Sequence, residues 1–332
     1  MNALKKTLPL FEAYPKLEPV FPHVSFCSLP TPVKHYPAIH NSLWIKRDDQ
    51  SGLLYGGNKT RKLEFILAQA IQRNKRHVIT FGGTGTNHGL ATAIHCKELG
   101  LKCTVLLFDQ EDSLIAKKNL QSMKSAGANL IHCGSLASTV FDFYVTQRLL
   151  HPSAYFLFAG GSNEEGCLAF INAAFELKQQ LTSNEEPYPD VIFCPVGSTG
   201  TLAGLTLGCH LADLPINVIG VRVAGSHLGP IPTCTESNVT ALMKNTLKKI
   251  RSADSDISVS LPLVNLINGY FGEGYGVATT EGNDAQKVFA ENGISLEQTY
   301  TAKAAAAALD YCTEHPDQRV LYWHTFNSLE IK

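Results

Sequence analysis

Apolar residues in the first quarter of the chain recur with helical spacing directly after a glycine-rich turn. They occupy positions i, i+3, i+4, i+7 and i+8, namely Leu63, Ile66, Leu67, Ala70 and Ile71. The turn before them contains Gly56, Gly57 and Asn58, and Lys59 follows directly. This pattern predicts a helix with one buried face that begins near Thr60.

Short apolar runs alternate with helical segments through the first half of the chain. The predicted strands are 43–47, 77–81, 103–108, 129–132 and 155–158. The predicted helices after the Lys59 helix are 90–99, 114–125, 138–150 and 164–181. Residues 1–43, rich in proline and aromatic residues, predict an irregular arm. The alternation predicts right-handed crossovers and a parallel sheet.

A second α/β unit follows the polar, proline-containing stretch 182–189. Its predicted strands are 190–194, 216–223 and 320–324. Its predicted helices run from the loop 197–201 to about 212 and over 236–251, 283–292 and 302–315, with an irregular stretch through Tyr275. The chain is therefore predicted to be an α/β protein with two open twisted parallel sheets and flanking helices.

Composition and charge narrow the class of protein. The chain has 332 residues, 44% hydrophobic and 17% charged, which is typical of a globular protein large enough for two domains. A net charge of -1 gives no global attraction for nucleic acid or an anionic membrane, so a small-molecule partner is predicted. Nine cysteines without a Cys-x-x-Cys pair predict reduced, buried thiols in a cytoplasmic protein and no metal site. The sequence shows no signal peptide or transmembrane span.

The position of Lys59 suggests a role in ligand binding and catalysis. Paired glycines let the backbone approach another surface, and the free N–H groups of a helix start favour an anion. If water is excluded, the pKa of the ammonium group falls, and the neutral amine becomes a nucleophile for a carbonyl, as Schiff-base formation requires. The alternative is a solvated surface lysine.

The loop after the strand 190–194 is predicted to bind phosphate. It offers successive backbone N–H groups, three hydroxyl groups and a helix start, from Gly197, Ser198, Thr199, Gly200 and Thr201. Because the loop lacks a Walker A lysine, a singly phosphorylated cofactor is favoured over a nucleoside triphosphate. The alternative is a plain turn from strand to helix.

The loop 82–89 has two interpretations. Gly83-x-Gly85, with Asp109 at the end of the following strand, matches part of a dinucleotide-binding fingerprint, although His88 stands where a third glycine is expected. The stretch Thr86-Asn87-His88 at a helix start is instead suited to binding a carboxylate. A third region contains Tyr300-Thr301-x-Lys303, with Tyr275 upstream. It indicates a functional site only in combination with these two loops.

In combination, these segments resemble a known family. Gly-Gly-Asn-Lys-Thr-Arg-Lys-Leu-Glu around Lys59, with Thr86-Asn87-His88, the loop 197–201 and Tyr300-Thr301, resembles the pyridoxal-phosphate enzymes related to D-cysteine desulfhydrase and 1-aminocyclopropane-1-carboxylate (ACC) deaminase. The resemblance covers about residues 29–324. It implies the tryptophan synthase β-like fold (fold type II), with a larger cofactor-binding domain of residues 1–60 and 171–332, a smaller inserted domain of residues 61–170, and a homodimer.

The resemblance also implies roles for individual residues. Lys59 would form the Schiff base, and Asn87 would hydrogen-bond the phenolic oxygen of the cofactor. The phosphate would bind to Gly197, Ser198, Thr199, Gly200 and Thr201, and Thr301 would face the pyridine nitrogen. Catalysis would use Lys59, Thr86, Tyr275 and Tyr300, and the substrate would contact Thr86, Asn87 and His88.

The preferred function is a lyase that converts D-cysteine to pyruvate, sulfide and ammonia, with Lys59 as the base. ACC deamination to 2-oxobutyrate is the alternative, disfavoured because the neutral Thr301 would hold a ring proton less firmly than a carboxylate. A nicotinamide-dependent oxidoreductase also stays open. So does a pyridoxal-phosphate-binding protein without catalysis, because Thr86 replaces the serine and Phe326-Asn327 replaces the Gly-Gly that the family usually has.

Overall fold

The structure, a computed structural model, describes residues 7–110, 113–228 and 231–329. Its α-helices are α1 (Pro9–Ala13), α2 (Asn58–Gln72), α3 (Asn87–Glu98), α4 (Leu114–Ser125), α5 (Leu136–Phe141), α6 (Gln147–Leu150), α7 (Glu164–Ser183), α8 (Gly200–Leu211), α9 (Glu236–Ala253), α10 (Thr280–Glu291) and α11 (Thr301–Glu314). Its strands are β1 (Val33–His35), β2 (Leu43–Lys46), β3 (His77–Gly83), β4 (Lys102–Phe108), β5 (Asn129–Gly134), β6 (Tyr155–Phe156), β7 (Val191–Val196), β8 (Asn217–Arg222), β9 (His227–Leu228), β10 (Ile231–Pro232), β11 (Asn265–Ile267) and β12 (Val320–Trp323).

The larger sheet has six strands in the order β1-β2-β12-β7-β8-β11. All neighbours are parallel except the edge strand β1, which pairs antiparallel with β2. Alternate residues of β12 enter two different cores: Leu321 and Trp323 pack with α7 and α8, whereas Val320 and Tyr322 pack with α10 and α11. Helices therefore cover both faces of the sheet, as the near-continuous apolar strands require.

The smaller sheet has four parallel strands in the order β5-β4-β3-β6. Helices α2 and α3 cover one face, and the other face carries a small cluster around Phe81 and Phe143. Because β3 and β7 are parallel strands, the loops that follow them leave at the carboxyl ends of their sheets, where ligands bind in folds of this class.

Helix α2 departs from the predicted single buried face. Residues from Thr60 to Ala70 are all buried, because the helix packs between the cores of the two sheets. Several of its polar side chains have partners from elsewhere in the chain. Arg61, for example, pairs with Asp48 at 2.7 Å and with Glu176 at 2.8 Å. The helix begins at Asn58, two residues before the predicted position.

The predicted fold class is confirmed, and several element boundaries are wrong. The irregular arm contains α1 and β1, and the irregular stretch before Tyr275 contains β11. The single helix predicted over 138–150 is α5, a turn of π-helix at Asp142–Thr146, and α6. Helix α3 begins at Asn87, inside the predicted loop. Elements this short lack enough periodic positions to be recognised in a sequence.

The nine cysteines are all free thiols. Seven are buried, and Cys27 and Cys133 are half-buried. Among the described helices, none combines the length and the apolar character needed to cross a membrane.

Candidate active site

A cavity of about 940 Å³ lies at the carboxyl ends of β3 and β7, beside the first turns of α2 and α11. Its volume is near the upper end of the range for small-molecule sites. The structure brings the sequence-predicted residues together there. Those lining the cavity are Lys59, Thr86, Asn87, His88, Gly197, Ser198, Thr199, Thr201, Tyr275, Tyr300 and Thr301.

Lys59 lies in the first turn of α2 and is half-buried. The turn before it needs glycine, because Gly57 has a φ of 88° and a Cβ there would come within 2.6 Å of the Thr325 carbonyl oxygen. The Asn58 N–H donates to that same oxygen at 3.0 Å. Burial lowers the pKa of Lys59 to about 8, and the negative charge of Glu297 opposes that shift. A substantial fraction of the amine is therefore in the neutral, nucleophilic form at physiological pH.

The C-terminal segment holds the Lys59 turn in place. Asn327 accepts a hydrogen bond from the Gly56 N–H at 2.6 Å, and Phe326 lines the cavity. Asn327 therefore anchors the backbone beside Lys59.

Lys62 lies one helical turn after Lys59 and is 1% exposed. Its Nζ donates to the Gly160 carbonyl oxygen at 3.2 Å and would lie 3.0 Å from a Cβ at Gly200. Burial, followed by the nearby charge of Lys59, lowers the pKa of Lys62 well below its ordinary value. A phosphate on the 197–201 loop would restore the ammonium form, since an opposite charge stabilises the charged state.

The loop 197–201 forms a cradle at the start of α8. Thr199 adopts a φ of 65°, and the Gly200 N–H donates to the Ser162 Oγ at 3.1 Å. Ser162 in turn donates to the Ser198 Oγ at 3.0 Å, and the Asn58 side chain donates to the Thr201 Oγ1 at 3.2 Å. The sequence prediction missed Ser162, although it lies in a glycine-containing loop after β6.

Asn87 begins α3 with its amide group oriented by a neighbour. The Asn119 Nδ2 donates to the Gly85 carbonyl oxygen at 2.8 Å and to the Asn87 Oδ1 at 2.9 Å. Because Asn119 donates to both oxygens, the Asn87 Nδ2 is left to donate to a ligand oxygen. Asn119 is on α4, and no local sequence signal connects it to Asn87.

Thr86 caps α3. Its Oγ1 accepts from the Gly89 N–H at 3.2 Å and keeps a proton to donate. The methyl group of Thr86 would lie 2.5 Å from a Cβ at Gly89, and Val105 would lie 2.9 Å from the same Cβ. Gly89 therefore provides the space that the methyl group of Thr86 needs.

His88 is 5% exposed and contributes a neutral imidazole to the cavity wall. Its Nε2 pairs with the Thr80 Oγ1 at 2.9 Å, and its Nδ1 has no hydrogen-bond partner among the described residues. Burial, together with Lys59 and Lys62, lowers the pKa of His88 well below its ordinary value.

Tyr275 and Tyr300 form a pair at the cavity. Their hydroxyl groups are hydrogen-bonded, and their rings meet edge to face with centroids 5.9 Å apart. Burial raises the pKa of both phenols, so both are neutral; one hydroxyl donates to the other, which leaves one proton of the pair to donate to a ligand. The Lys303 Nζ donates to the Phe271 carbonyl oxygen at 2.6 Å and so ties α11 to the segment that carries Tyr275.

Thr301, the first residue of α11, is completely buried and lies against Glu297, a carboxylate that the sequence prediction missed. Glu297 is 4% exposed and lines the cavity. Its carboxylate accepts the backbone N–H groups of Thr299, Tyr300 and Thr301 at 2.7 to 2.9 Å. Burial raises the pKa of Glu297, and these N–H groups oppose the rise.

The features that suggested a dinucleotide site serve other purposes. Asp109 is exposed and is not part of the cavity wall. A Cβ at Gly83 would lie 2.3 Å from the Gln110 Oε1, and a Cβ at Gly85 would lie 2.5 Å from the Ala116 Cα. These glycines make room for the chain itself.

The donors in the cavity fit pyridoxal phosphate. The amine of Lys59, with its lowered pKa, matches the aldehyde, and the free amide nitrogen of Asn87 matches the phenolic oxygen. The cradle at the start of α8, with the buried Lys62 beside it, matches the phosphate. The buried hydroxyl of Thr301 matches the ring nitrogen.

Comparisons with known proteins agree. The sequence pattern of the pyridoxal-phosphate dependent enzyme family matches residues 24–325. The bifunctional mitochondrial D-cysteine desulfhydrase/ACC deaminase of Arabidopsis thaliana is 31% identical, over 93% of this chain and 79% of the relative. The D-cysteine desulfhydrase of Klebsiella pneumoniae is 30% identical, over 92% of this chain and 94% of the relative. A crystal structure of an ACC deaminase homologue superposes with a TM-score of 0.80 at 27% identity, over 97% of this chain and 95% of that chain. The chain therefore belongs to the pyridoxal-phosphate dependent enzymes, in the family of D-cysteine desulfhydrase and ACC deaminase.

Proposed function

We propose that the protein is a lyase that converts D-cysteine and water to pyruvate, sulfide and ammonia. The proposal combines family membership with a cavity that holds a nucleophilic lysine, two neutral phenols and a phosphate cradle. Pyridoxal phosphate, when bound, supplies an electron sink for the electrons left at Cα.

Lys59 is the residue that joins the cofactor and then moves the proton at Cα. Its pKa of about 8 supports both roles, because the amine accepts a proton readily and is still largely protonated near neutral pH. Asn87 donates to the phenolic oxygen. The loop 197–201, with Lys62 next to Gly200, holds the phosphate.

The substrate is oriented by the start of α3 and by the tyrosine pair. The carboxylate of the amino acid binds at Thr86, Asn87 and His88, where a hydroxyl proton and backbone N–H groups are available. Tyr275 and Tyr300 also line the cavity, and the hydroxyl whose proton is not used within the pair donates a hydrogen bond to the departing sulfide.

The observation that carries the choice of D-cysteine is the hydroxyl of Thr301 on the cavity wall. D-cysteine has an acidic α-proton and a good β leaving group. ACC has no α-proton, so its ring opening depends more strongly on a protonated pyridine nitrogen. A hydroxyl holds that proton less firmly than a carboxylate in direct contact would.

The test is turnover by the protein loaded with pyridoxal phosphate. D-cysteine, L-cysteine, β-chloro-D-alanine and ACC are compared by release of sulfide, pyruvate, 2-oxobutyrate and ammonia. We expect rapid turnover of D-cysteine and β-chloro-D-alanine and slow or no turnover of ACC. Efficient ACC deamination without activity on D-cysteine would make ACC deaminase the function.

We also propose that residues 1–60 and 171–332 form the larger domain and that residues 61–170 form the smaller one. The strands of the two larger sheets support this division. Strands β3 to β6 form the four-stranded sheet, and β1, β2, β7, β8, β11 and β12 form the six-stranded sheet. The homodimer and the cytoplasmic location stay predictions. Light scattering on the purified protein measures the oligomeric state.

A further inference from the structure

Glu297 is a buried carboxylate that the proposed reaction leaves without a role. It lines the cavity and precedes α11 by four residues. Three backbone N–H groups at the start of that helix point at its carboxylate, an arrangement that stabilises an anion in a buried place.

The Thr301 hydroxyl is oriented by Glu297. It accepts from the Glu297 backbone N–H at 2.8 Å. Its own proton has two acceptors, the carboxylate Oε1 and the carbonyl oxygen of Glu297, each at 3.2 Å. A hydroxyl oxygen has two lone pairs, so one remains, and Thr301 lies on the cavity wall. A ligand N–H can donate to it.

The negative charge of Glu297 also acts on Lys59 and stabilises its protonated form. The other titratable groups that interact with Glu297 in the described part of the chain are Lys303 and four phenols, those of Tyr55, Tyr275, Tyr300 and Tyr322. Burial raises the pKa of all four phenols, so they are neutral. Glu297 is therefore the anion shared by the Lys59 side and the Thr301 side of the cavity.

We propose that Glu297 is a positioning residue that holds the proton on the ring nitrogen of the cofactor through the Thr301 hydroxyl. This inference rests on the proposed function for the place of the ring. Thr301 accepts the ring N–H and points its own proton at the carboxylate, so the charge of Glu297 is transmitted across one hydrogen bond. The contact at the ring nitrogen is therefore a hydroxyl polarised by a carboxylate, intermediate between a lone hydroxyl and a direct carboxylate.

The main test measures the ring nitrogen without substrate. Protein loaded with ¹⁵N-labelled pyridoxal phosphate is titrated with acid and base while the nitrogen chemical shift is recorded. Glu297→Gln removes the charge and keeps an amide oxygen for the N–H groups of Tyr300 and Thr301. We expect the apparent pKa of the ring nitrogen to fall by about one unit, since a nearby opposite charge favours the protonated form. Glu297→Asp, which keeps the charge, should retain most of the wild-type value.

A double-mutant cycle separates transmission through Thr301 from a general field effect. Thr301→Val alone should lower the ring nitrogen's pKa about as much as Glu297→Gln, and the double variant should lower it no further. The proposal is overturned if the two substitutions lower the ring nitrogen's pKa additively in the double variant. It is also overturned if the ring nitrogen in Glu297→Gln titrates as in the wild type. Circular dichroism of each variant checks that α11 is intact.

A second measurement uses the protein without cofactor and reports whether Glu297 carries its charge. The rate at which Lys59 captures added pyridoxal phosphate is followed against pH. Glu297→Gln should move the midpoint below about 8, because the charge that favours protonated Lys59 is gone. An unchanged midpoint overturns the proposal, since an uncharged Glu297 cannot polarise Thr301. Neither measurement involves turnover, so failure of the D-cysteine assay leaves the inference standing.

Discussion

Two lysines on the same helix, three residues apart, lie in different surroundings. Lys59 is half-buried, lines the cavity and interacts with the carboxylate of Glu297. Lys62 is almost completely buried and lies beside Gly200 of the 197–201 loop, and Lys59 has the largest charge effect on its pKa. Burial lowers the pKa of both ammonium groups, and for Lys59 the carboxylate of Glu297 opposes the decrease.

The difference shows how one residue type can serve two purposes within a single helical turn. A lysine with access to the cavity and a pKa of about 8 is suited to exchange protons and to attack a carbonyl. A lysine enclosed by protein next to a helix start is suited to balance a bound anion. The following predictions test this division of roles.

The largest effect is expected from Lys59→Ala. Without the amine the protein should lose the absorbance of covalently held cofactor, and turnover should fall by at least about a thousandfold. Borohydride reduction followed by mass spectrometry measures the covalent link. A reduced adduct at Lys62 in this variant would reverse the assigned roles.

Gly200→Val tests the cradle in front of Lys62. A Cβ at Gly200 would lie 2.8 Å from the Ser162 Oγ and 3.0 Å from the Lys62 Nζ, so both groups must move. We expect the affinity for pyridoxal phosphate to fall by at least about a hundredfold, because charge-assisted hydrogen bonds are worth roughly 1.5–3 kcal/mol each. Gly200→Ala should show a smaller loss, and thermal unfolding of the cofactor-free protein reports damage to the fold. Unchanged affinity would place the phosphate elsewhere.

Lys62→Met removes the buried charge and keeps most of the side-chain volume. The covalent link to Lys59 should survive, while the affinity for the cofactor falls by about tenfold or more, since one charge-assisted contact to the phosphate is lost. Pyridoxal without phosphate is the matched control ligand, and its affinity should change little. An equal loss for both ligands would show that Lys62 does not act on the phosphate.

The pH dependence of cofactor capture sharpens the comparison further. Lys59 must be neutral to attack the aldehyde, and its pKa is lowered to about 8 from an ordinary value near 10.5. Capture by the cofactor-free protein should therefore rise with pH through a midpoint near 8. A midpoint near 10.5 would mean that burial does not act on Lys59 in solution.

The smallest effect is expected from Thr86→Ser. Serine and threonine cap a helix start similarly, and Gly89 already accommodates the methyl group. The ratio kcat/KM for D-cysteine should change by less than about threefold. Thr86→Ala, which removes the hydroxyl as well, is the matched variant that should lose activity. A large gain from serine would show that the methyl group obstructs the substrate.

Much of the fold was predictable because long periodic segments specify their own structure. The alternation of apolar strands and helices identified both parallel sheets, and glycine followed by an amphipathic segment identified the turn at Lys59. The antiparallel edge strand β1, the short β11 and the π-helical turn at Asp142–Thr146 were missed. Segments of three to five residues have no period to detect, so pairing with distant strands or packing decides them.

For the site, the sequence by itself determined which segments carry the chemistry, because each contains a local signal: glycines before a helix, hydroxyls after a strand, or a polar group at a helix start. Only the tertiary structure decided which distant partners tune them. Asn119 orients Asn87 from another helix, and Asn327 anchors Gly56 from a position 271 residues away along the chain. Glu297 reaches Lys59 only because the start of α11 lies across the cavity from the start of α2. Charge and burial act through space, so the pKa values of these groups are set by neighbours that no local pattern reveals.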